Sequence, residues 1–500
     1  MMKRKFYLVL VLVWLAVPMV ARVRKNAPVL STMSPTSGAA GGSSSFTLTA
    51  TGSNFSSTPI VNTITTPTAG GCGPGTDNSG CGNVGDPYQG QGQPSANAKI
   101  VGCGALSPSS SGYVYRVTAD IGTDAAHACL TWSYTQPFVL DLNGHTVTGI
   151  ISGKMNPYGI TIMNGTVNCN STSTGCIDVT QGSAPAAYDR IHHLTLNQAA
   201  LGGRCINFNQ ENQYAPVSTR YIQIYNVQGT LPNNLEATGR SYLIWVGGAG
   251  TVPAEVWNAT VSPGANLNAF QGITFYAMPG GYAHNNYIVL PHPSYDLGAY
   301  DNDRGILFDC EGKVGNPCGS NVAAYNQIVA DQNRAFRVRA ETGDVIHDNL
   351  IQNCRLNAPA EACIHIGDTD TQGEATSAEI YGNTLEMNDG AGIELGGDSS
   401  GSANVHDNTV TCYLGDCSRA GWFAFTSLWE AAFPHPTAAG TLTVKNTTFP
   451  SGWGSRNAVL SCGPPRNPAY TCGISDDTAR VIYCNTGTVV GNGTVTQSCP

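Results

Sequence analysis

Between Gly272 and Asn408 one apolar pattern keeps returning: a pair of large apolar residues with a single residue between them. It reads Ile273-Thr-Phe275, Ile306-Leu-Phe308, Phe336-Arg-Val338, Ile364-His-Ile366 and Ile393-Glu-Leu395, with first members 33, 30, 28 and 29 residues apart. Between successive copies an Asn stands beside a β-branched or Leu pair, at Asn286, Asn326, Asn349, Asn383 and Asn408. Each repeat therefore holds two short strands. A unit of this length cannot bury its apolar face without a neighbour stacked on it, so the period predicts a solenoid. Strands this short, broken by Gly, Asn and Asp and lacking helical periodicity, make it a β-solenoid. The register extends back through Ile244-Trp-Val246, Ile206-Asn-Phe208, Ile177-Asp-Val179 and Ile160-Thr-Ile162, and forward to Phe423-Ala-Phe425.

The pattern resembles the right-handed parallel β-helix of the pectate-lyase-like superfamily, whose rungs carry an Asn at one corner. The resemblance implies an all-β chain: a right-handed parallel β-helix closed by N- and C-terminal caps. The Asn side chains would stack into a ladder that satisfies backbone groups at the bend. Val139-Leu-Asp-Leu-Asn-Gly-His-Thr-Val-Thr-Gly149 resembles a common first rung of secreted β-helix proteins, with Asn-Gly as its tight turn. The expected boundaries are an N-terminal cap over 101–138, the helix over 139–450, and a C-terminal cap over 451–500 stapled by four cysteines. An uncovered terminal rung would invite edge pairing, which is why caps are expected.

The chain begins Met-Met-Lys-Arg-Lys and continues as an apolar run from Phe6 to Val20, which reads as a signal peptide over 1–21. An uncleaved anchor is the alternative. Residues 22–100 form a Ser/Thr/Gly-rich linker, within which Ser34 to Phe55 resembles the opening strands of an immunoglobulin-like IPT/TIG module. Seventeen cysteines support export. Eight near neighbours, Cys72/Cys81, Cys103/Cys129, Cys169/Cys176, Cys310/Cys318, Cys354/Cys363, Cys412/Cys417, Cys462/Cys472 and Cys484/Cys499, leave Cys205 over. Cys176 and Cys205 hold equivalent places in consecutive rungs, so a bond between them is the competing arrangement. No CxxC spacing suggests zinc. The net charge of −9, with 24 Lys and Arg spread without a basic run, lacks the footprint of a nucleic-acid binder.

Charged residues are only 11% of the chain, so their placement is informative. Where Ile and Phe point inward, the residue between them points out. Stacking the rungs builds one outward column of Asn207, Trp245, Thr274, Leu307, Arg337, His365 and Glu394. A second column holds Asn209, Gly247, Tyr276, Asp309, Arg339 and Gly367, and Glu311 and Glu341 follow at the turn. Neighbours in a column lie ~4.8 Å apart, so acids, an imidazole and guanidinium groups gather within the span of a sugar ring. Cross-strand charge pairs that merely stabilise a sheet would look the same residue by residue.

The resemblance implies carbohydrate lyases, glycosidases and non-catalytic surface proteins, because fold does not fix function. Polygalacturonase-type Asn-Thr-Asp, Gly-His-Gly and Arg-Ile-Lys motifs and the Arg-x-Pro-x-x-Arg segment of classical pectate lyases do not occur. The expected function is that of a secreted lyase on a uronate-containing extracellular polysaccharide. Arg337 and Arg339 would neutralise the carboxylate and His365, with Glu394 beside it, would take the C5 proton. Asp309 and Glu311 would bind Ca²⁺, Glu341 would orient the sugar, and Trp245 and Tyr276 would be platforms for sugar faces. The rivals are a non-catalytic, adhesive glycan-binding protein and a diverged glycoside hydrolase.

Overall fold

The computed structural model describes residues 29–34, 49–53, 96–110, 112–134, 136–155, 159–181, 189–210, 222–232, 241–248, 254–262, 270–290, 304–310, 318–330, 334–354, 362–367, 376–387, 391–396, 402–413, 423–428, 441–449, 459–461, 480–484 and 494–496. The chain divides into two units, 1–91 and 92–500. In the first, Val29–Ser34 pairs antiparallel with Thr49–Ser53, the stretch likened to an immunoglobulin-like module. The signal-peptide segment lies outside the described residues.

The described residues within 92–500 form a right-handed parallel β-helix. One sheet of 13 strands runs from Gly104–Ala105 to Val459–Ser461 with every neighbour parallel. Parallel neighbours need a crossover connection, and such crossovers are right-handed in nearly all proteins. The pairing reproduces the expected register: Ile273 faces Ile306, which faces Phe336, then Ile364 and Ile393. These residues and their partners two positions on form a continuous buried core, in which Phe275 and Phe308 stack with ring centres 5.8 Å apart.

The second sheet is folded at a bend. Ala254–Ser262 pairs with Tyr282–His284 before the bend and with Tyr287–Val289 after it, and later rungs repeat the division. Ten successive rungs place a left-handed residue at this bend: Asn164, His193, Asn226, Asn258, Asn285, Tyr325, Asp348, Gly382, Asp407 and Asn446, with φ between 49° and 66°. Asn, Asp and Gly dominate because they tolerate this conformation best.

The next position is the Asn ladder. Nδ2 of Asn286, Asn326, Asn349 and Asn383 each donates to Oδ1 of the following Asn at 2.9 to 3.0 Å. The same four backbone N–H groups donate to the same oxygens. The second Nδ2 hydrogen caps a carbonyl of the rung below, such as Ala283 for Asn326. In earlier rungs Leu194, Val227 and Ala259 hold this place.

Two expected boundaries shift. Ala98–Ile100, Gly104–Ala105, Tyr113–Val117 and Ala128–Tyr134 already pair in parallel with the rungs that follow, so the stack begins before Val139 and the 101–138 segment contains rungs. Pairing likewise continues through Val459–Ser461, Arg480–Cys484 and Thr494–Thr496, inside the segment expected to be a cap. Apart from Ala128–Tyr134, which has seven residues, these strands have two to five, too few for alternation to stand out in sequence. Asn143 and Gly144 do turn tightly, at φ 51° and 80°. Yet Phe138–Asp141 and Thr146–Thr148 both pair parallel to Ile160–Cys169, so the turn is a corner and not a hairpin.

Cys103–Cys129, Cys169–Cys176 and Cys310–Cys318 are bonded as the spacing suggests. Cys205 is buried with a free thiol, which rules out the Cys176–Cys205 alternative. Among the described residues no helix is long and apolar enough to cross a membrane.

Candidate active site

The outward columns form as the alternation predicts. Asn207, Trp245, Thr274, Leu307, Arg337, His365 and Glu394 are successive register partners, and so are Gly247, Tyr276, Asp309 and Arg339. They do not line an open groove. Arg337, Arg339, His365, Glu394 and Asp309 are all buried, none more than 5% exposed. The expectation of a solvent-facing patch is therefore corrected around His365, while Trp245 and Tyr276, three and two rungs away from Arg337, remain partly exposed. Their rings stack at 5.9 Å.

Two arginines join the cluster that the alternation rule concealed. Arg304 and Arg334 are register partners, both buried. They precede Ile306 and Phe336 by two, which in a regular strand would turn them inward. The strand instead sends two consecutive residues to the core: Ala335 and Phe336 both belong to it. A Cβ on Gly305 would meet Ile328 Cδ1 at 3.0 Å, so that position also faces inward. The face therefore flips, and Arg304 and Arg334 emerge beside the outward columns. Their sequence signal is the recurrence of a polar residue at that place in Arg204, Gln271, Arg304 and Arg334.

His365 sits within this arginine group. Burial pushes its pKa well below the usual imidazole value, and Arg334, Arg337, Arg304 and Arg339 push it in the same direction, so the ring is neutral. Neither ring nitrogen has a hydrogen-bond partner among the described residues. A buried polar side chain left this way is uncommon, and such groups concentrate at functional sites. A neutral imidazole beside several guanidinium groups can accept a proton while the cations hold an anion.

A second set of acids lies at the turn. Glu341 and Asp344 are fully buried. Asn321 Nδ2 donates to Glu341 Oε2 at 2.5 Å, and Asn321 N–H donates to Asp344 Oδ1 at 2.7 Å. The other oxygens, Glu341 Oε1 and Asp344 Oδ2, face no N–H or O–H donor among the described residues. Burial, and then the neighbouring Asp344 charge, raises Glu341 well above the carboxylate range, and burial pushes Asp344 up to about 7. One proton held between the two carboxyls satisfies both orphan oxygens. Asp344 had no periodic signal in the sequence; its place follows from the Asn321 contact.

Only half of the expected calcium pair is described. Glu311 lies outside the described residues, and Asp309 Oδ2 has Arg339 Nη1 at 4.0 Å. Among the described residues the one group of three potential ligands is Cys310, Cys318 and Glu341, whose sulfurs are tied in a disulfide. Calcium takes six to eight oxygens.

The class that the architecture defines is a parallel β-helix with a buried, arginine-rich cluster on one sheet. No family model matches the chain, and no curated protein matches it. Among solved structures, an alginate lyase from Paenibacillus sp. str. FPU-7 aligns over 74% of this chain and 99% of its own, at 12% identity and a TM-score of 0.32. A likeness that distant carries no argument about this chain, whose fold rests on its own strand pairing.

Proposed function

We propose that the protein is an extracytoplasmic polysaccharide lyase acting on a uronate-containing glycan. The observation that carries this reading is His365, a neutral, buried imidazole set among four arginines, whose nitrogens have no hydrogen-bond partner among the described residues. In β-elimination the arginines bind the uronate carboxylate and stabilise the negative charge that develops as the C5 proton leaves. His365 takes that proton, the C5 electron pair forms the C4–C5 double bond, and the C4–O bond breaks with its electrons going to the leaving oxygen. That oxygen is protonated from water. Glu394, the register neighbour of His365, balances the imidazolium that results. The disulfides fit an oxidising compartment.

Wild-type protein given polyuronates is expected to release products that absorb in the ultraviolet through their new double bond. His365→Ala is expected to abolish that signal while retaining the β-sheet circular dichroism. If wild type yields no unsaturated product from any uronate polymer tried, the lyase reading fails. Burial of the column favours one rival, a non-catalytic glycan-binding protein in which these residues only tie rungs together. Retention on glycans with no new chain ends supports that rival, and new reducing ends without unsaturation support a glycoside hydrolase.

A further inference from the structure

The sheet that carries His365 holds a second polar cluster on the same outer face, three to six rungs toward the N-terminus, with Arg204 five rungs away. The columns are shared: Arg204, Tyr242, Gln271, Arg304 and Arg334 are successive partners, and Asp178, Asn207 and Trp245 continue the column of His365. Five rungs span ~24 Å. The two clusters differ in exposure. Asp178, Arg204, Tyr242, Trp245 and Tyr276 are all partly open to solvent.

Their geometry is that of a prepared surface. The Arg204 guanidinium carbon lies 5.0 Å from the Tyr242 ring centre and 4.5 Å from that of Trp245. Arg204 Nη1 donates to Asn207 Oδ1, and Asn207 Nδ2 donates to Asp178 Oδ1, both at 2.5 Å. The guanidinium is thus fixed in plane and rotation by two rings and one hydrogen-bonded chain. Nε and Nη2 make no hydrogen bond among the described residues, which leaves one edge of the fork available to a planar anion. Trp245 lies down along the face because position 247 is glycine: a Cβ there would meet the indole at 2.5 Å. A side chain whose only task was to tie rungs together would not need a flat indole, a second stacked ring at Tyr276 and an open guanidinium edge on one exposed patch.

We infer that this cluster is a distal subsite for an acidic pyranose unit of a glycan laid along the sheet. The sugar rests against the solvent-facing side of the stacked Trp245 and Tyr276 rings, and its carboxylate takes the open edge of Arg204, with Asp178 and Asn207 as positioning residues. The inference rests on the uronate-glycan reading but not on any chemistry at His365.

The test uses the full chain in the His365→Ala background, so that no cutting interferes, with a linear polyuronate and the same polymer carboxyl-reduced to its neutral form. Tryptophan fluorescence and affinity electrophoresis report binding. Arg204→Ala is expected to weaken polyuronate binding by about tenfold or more, the loss of a charge-assisted hydrogen-bonded pair. Trp245→Ala is expected to weaken both polymers, and the reduced polymer is expected to bind wild-type Arg204 no better than it binds Arg204→Ala. Should Arg204→Ala fail to fold, Arg204→Lys, which keeps the charge and loses the fork, is read instead. Unchanged polyuronate affinity in the folded Arg204 variant, or equal binding of both polymers, overturns the inference. Loss of binding in that variant from a wild type that forms no unsaturated product would sustain the subsite and sink only the lyase step.

Discussion

The imidazole of His365 is kept neutral by its surroundings, with burial first and four guanidinium groups after it. Its folded pKa is lowered, so the base-competent form persists as pH falls, and the acid limb of kcat/KM is expected well below pH 6.5. Replacing Arg334 with Gln removes the largest of the four charges acting on the ring and is expected to move that limb upward in a pH–rate profile. Arg337→Ala is expected to lower kcat/KM by roughly 10²-fold, the usual cost of losing one preorganised donor to developing charge. Glu341 and Asp344 act in the opposite sense. Both folded pKa values are raised, so the stability they contribute is present below the ordinary carboxylate range and is lost as pH rises through the folded values. For Asp344 that window runs from 3.8 to about 7, with a slope of roughly 1.4 kcal/mol per pH unit at most. Asp344→Asn keeps the acceptor for Asn321 and supplies a donor toward Glu341. It is expected to flatten the decline in thermal midpoint between pH 4 and pH 8. Of these residues His365, Arg337, Arg339 and Glu341 were legible from alternation. Arg304 and Arg334 were hidden by the doubled inward residues, and Asp344 by the lack of any periodic mark.

The bend of the second sheet is set by two adjacent positions, one left-handed and one inward. Asn349 shows what the inward one does: its Oδ1 accepts from both the backbone N–H and Nδ2 of Asn326, and its Nδ2 donates to Asn383, Ala323 and His347. Asn349→Ala leaves buried donors and acceptors unmet on two sides and is expected to destabilise the protein by about 2–3 kcal/mol in denaturant titration. Asn349→Asp keeps the acceptor and loses the donors, so it is expected to be no better. The ladder was legible because the same residue type recurs beside the same apolar pair. What the sequence did not disclose was where it stops: Leu194, Val227 and Ala259 fill the column below Asn286 without a backbone change.

At the scale of the stack, the described strands of each coil pair with those of the coils above and below, so stability is nearly a sum of rung and nearest-neighbour terms. Ile306→Ala, at a fully enclosed core position, is expected to cost about 2–5 kcal/mol. Amide hydrogen exchange should rise most at Ile273 and Phe336, its register partners, and far less near Ile177. Uniform loosening along the stack would show that the molecule unfolds as one unit instead.

The sequence alone determined the coil. A repeat near thirty residues, one apolar pair per repeat and one Asn per bend leave a single way to bury the apolar groups, and short cysteine spacings close loops wherever the strands run. The tertiary structure decided the site. Whether an outward residue meets water depends on what packs over it, and which way Arg304 faces depends on two successive residues turning inward. The shared proton of Glu341 and Asp344 depends on Asn321, 20 residues from one and 23 from the other. Periodicity fixes neighbours along the stack, whereas burial and orientation come from contacts that no repeat encodes.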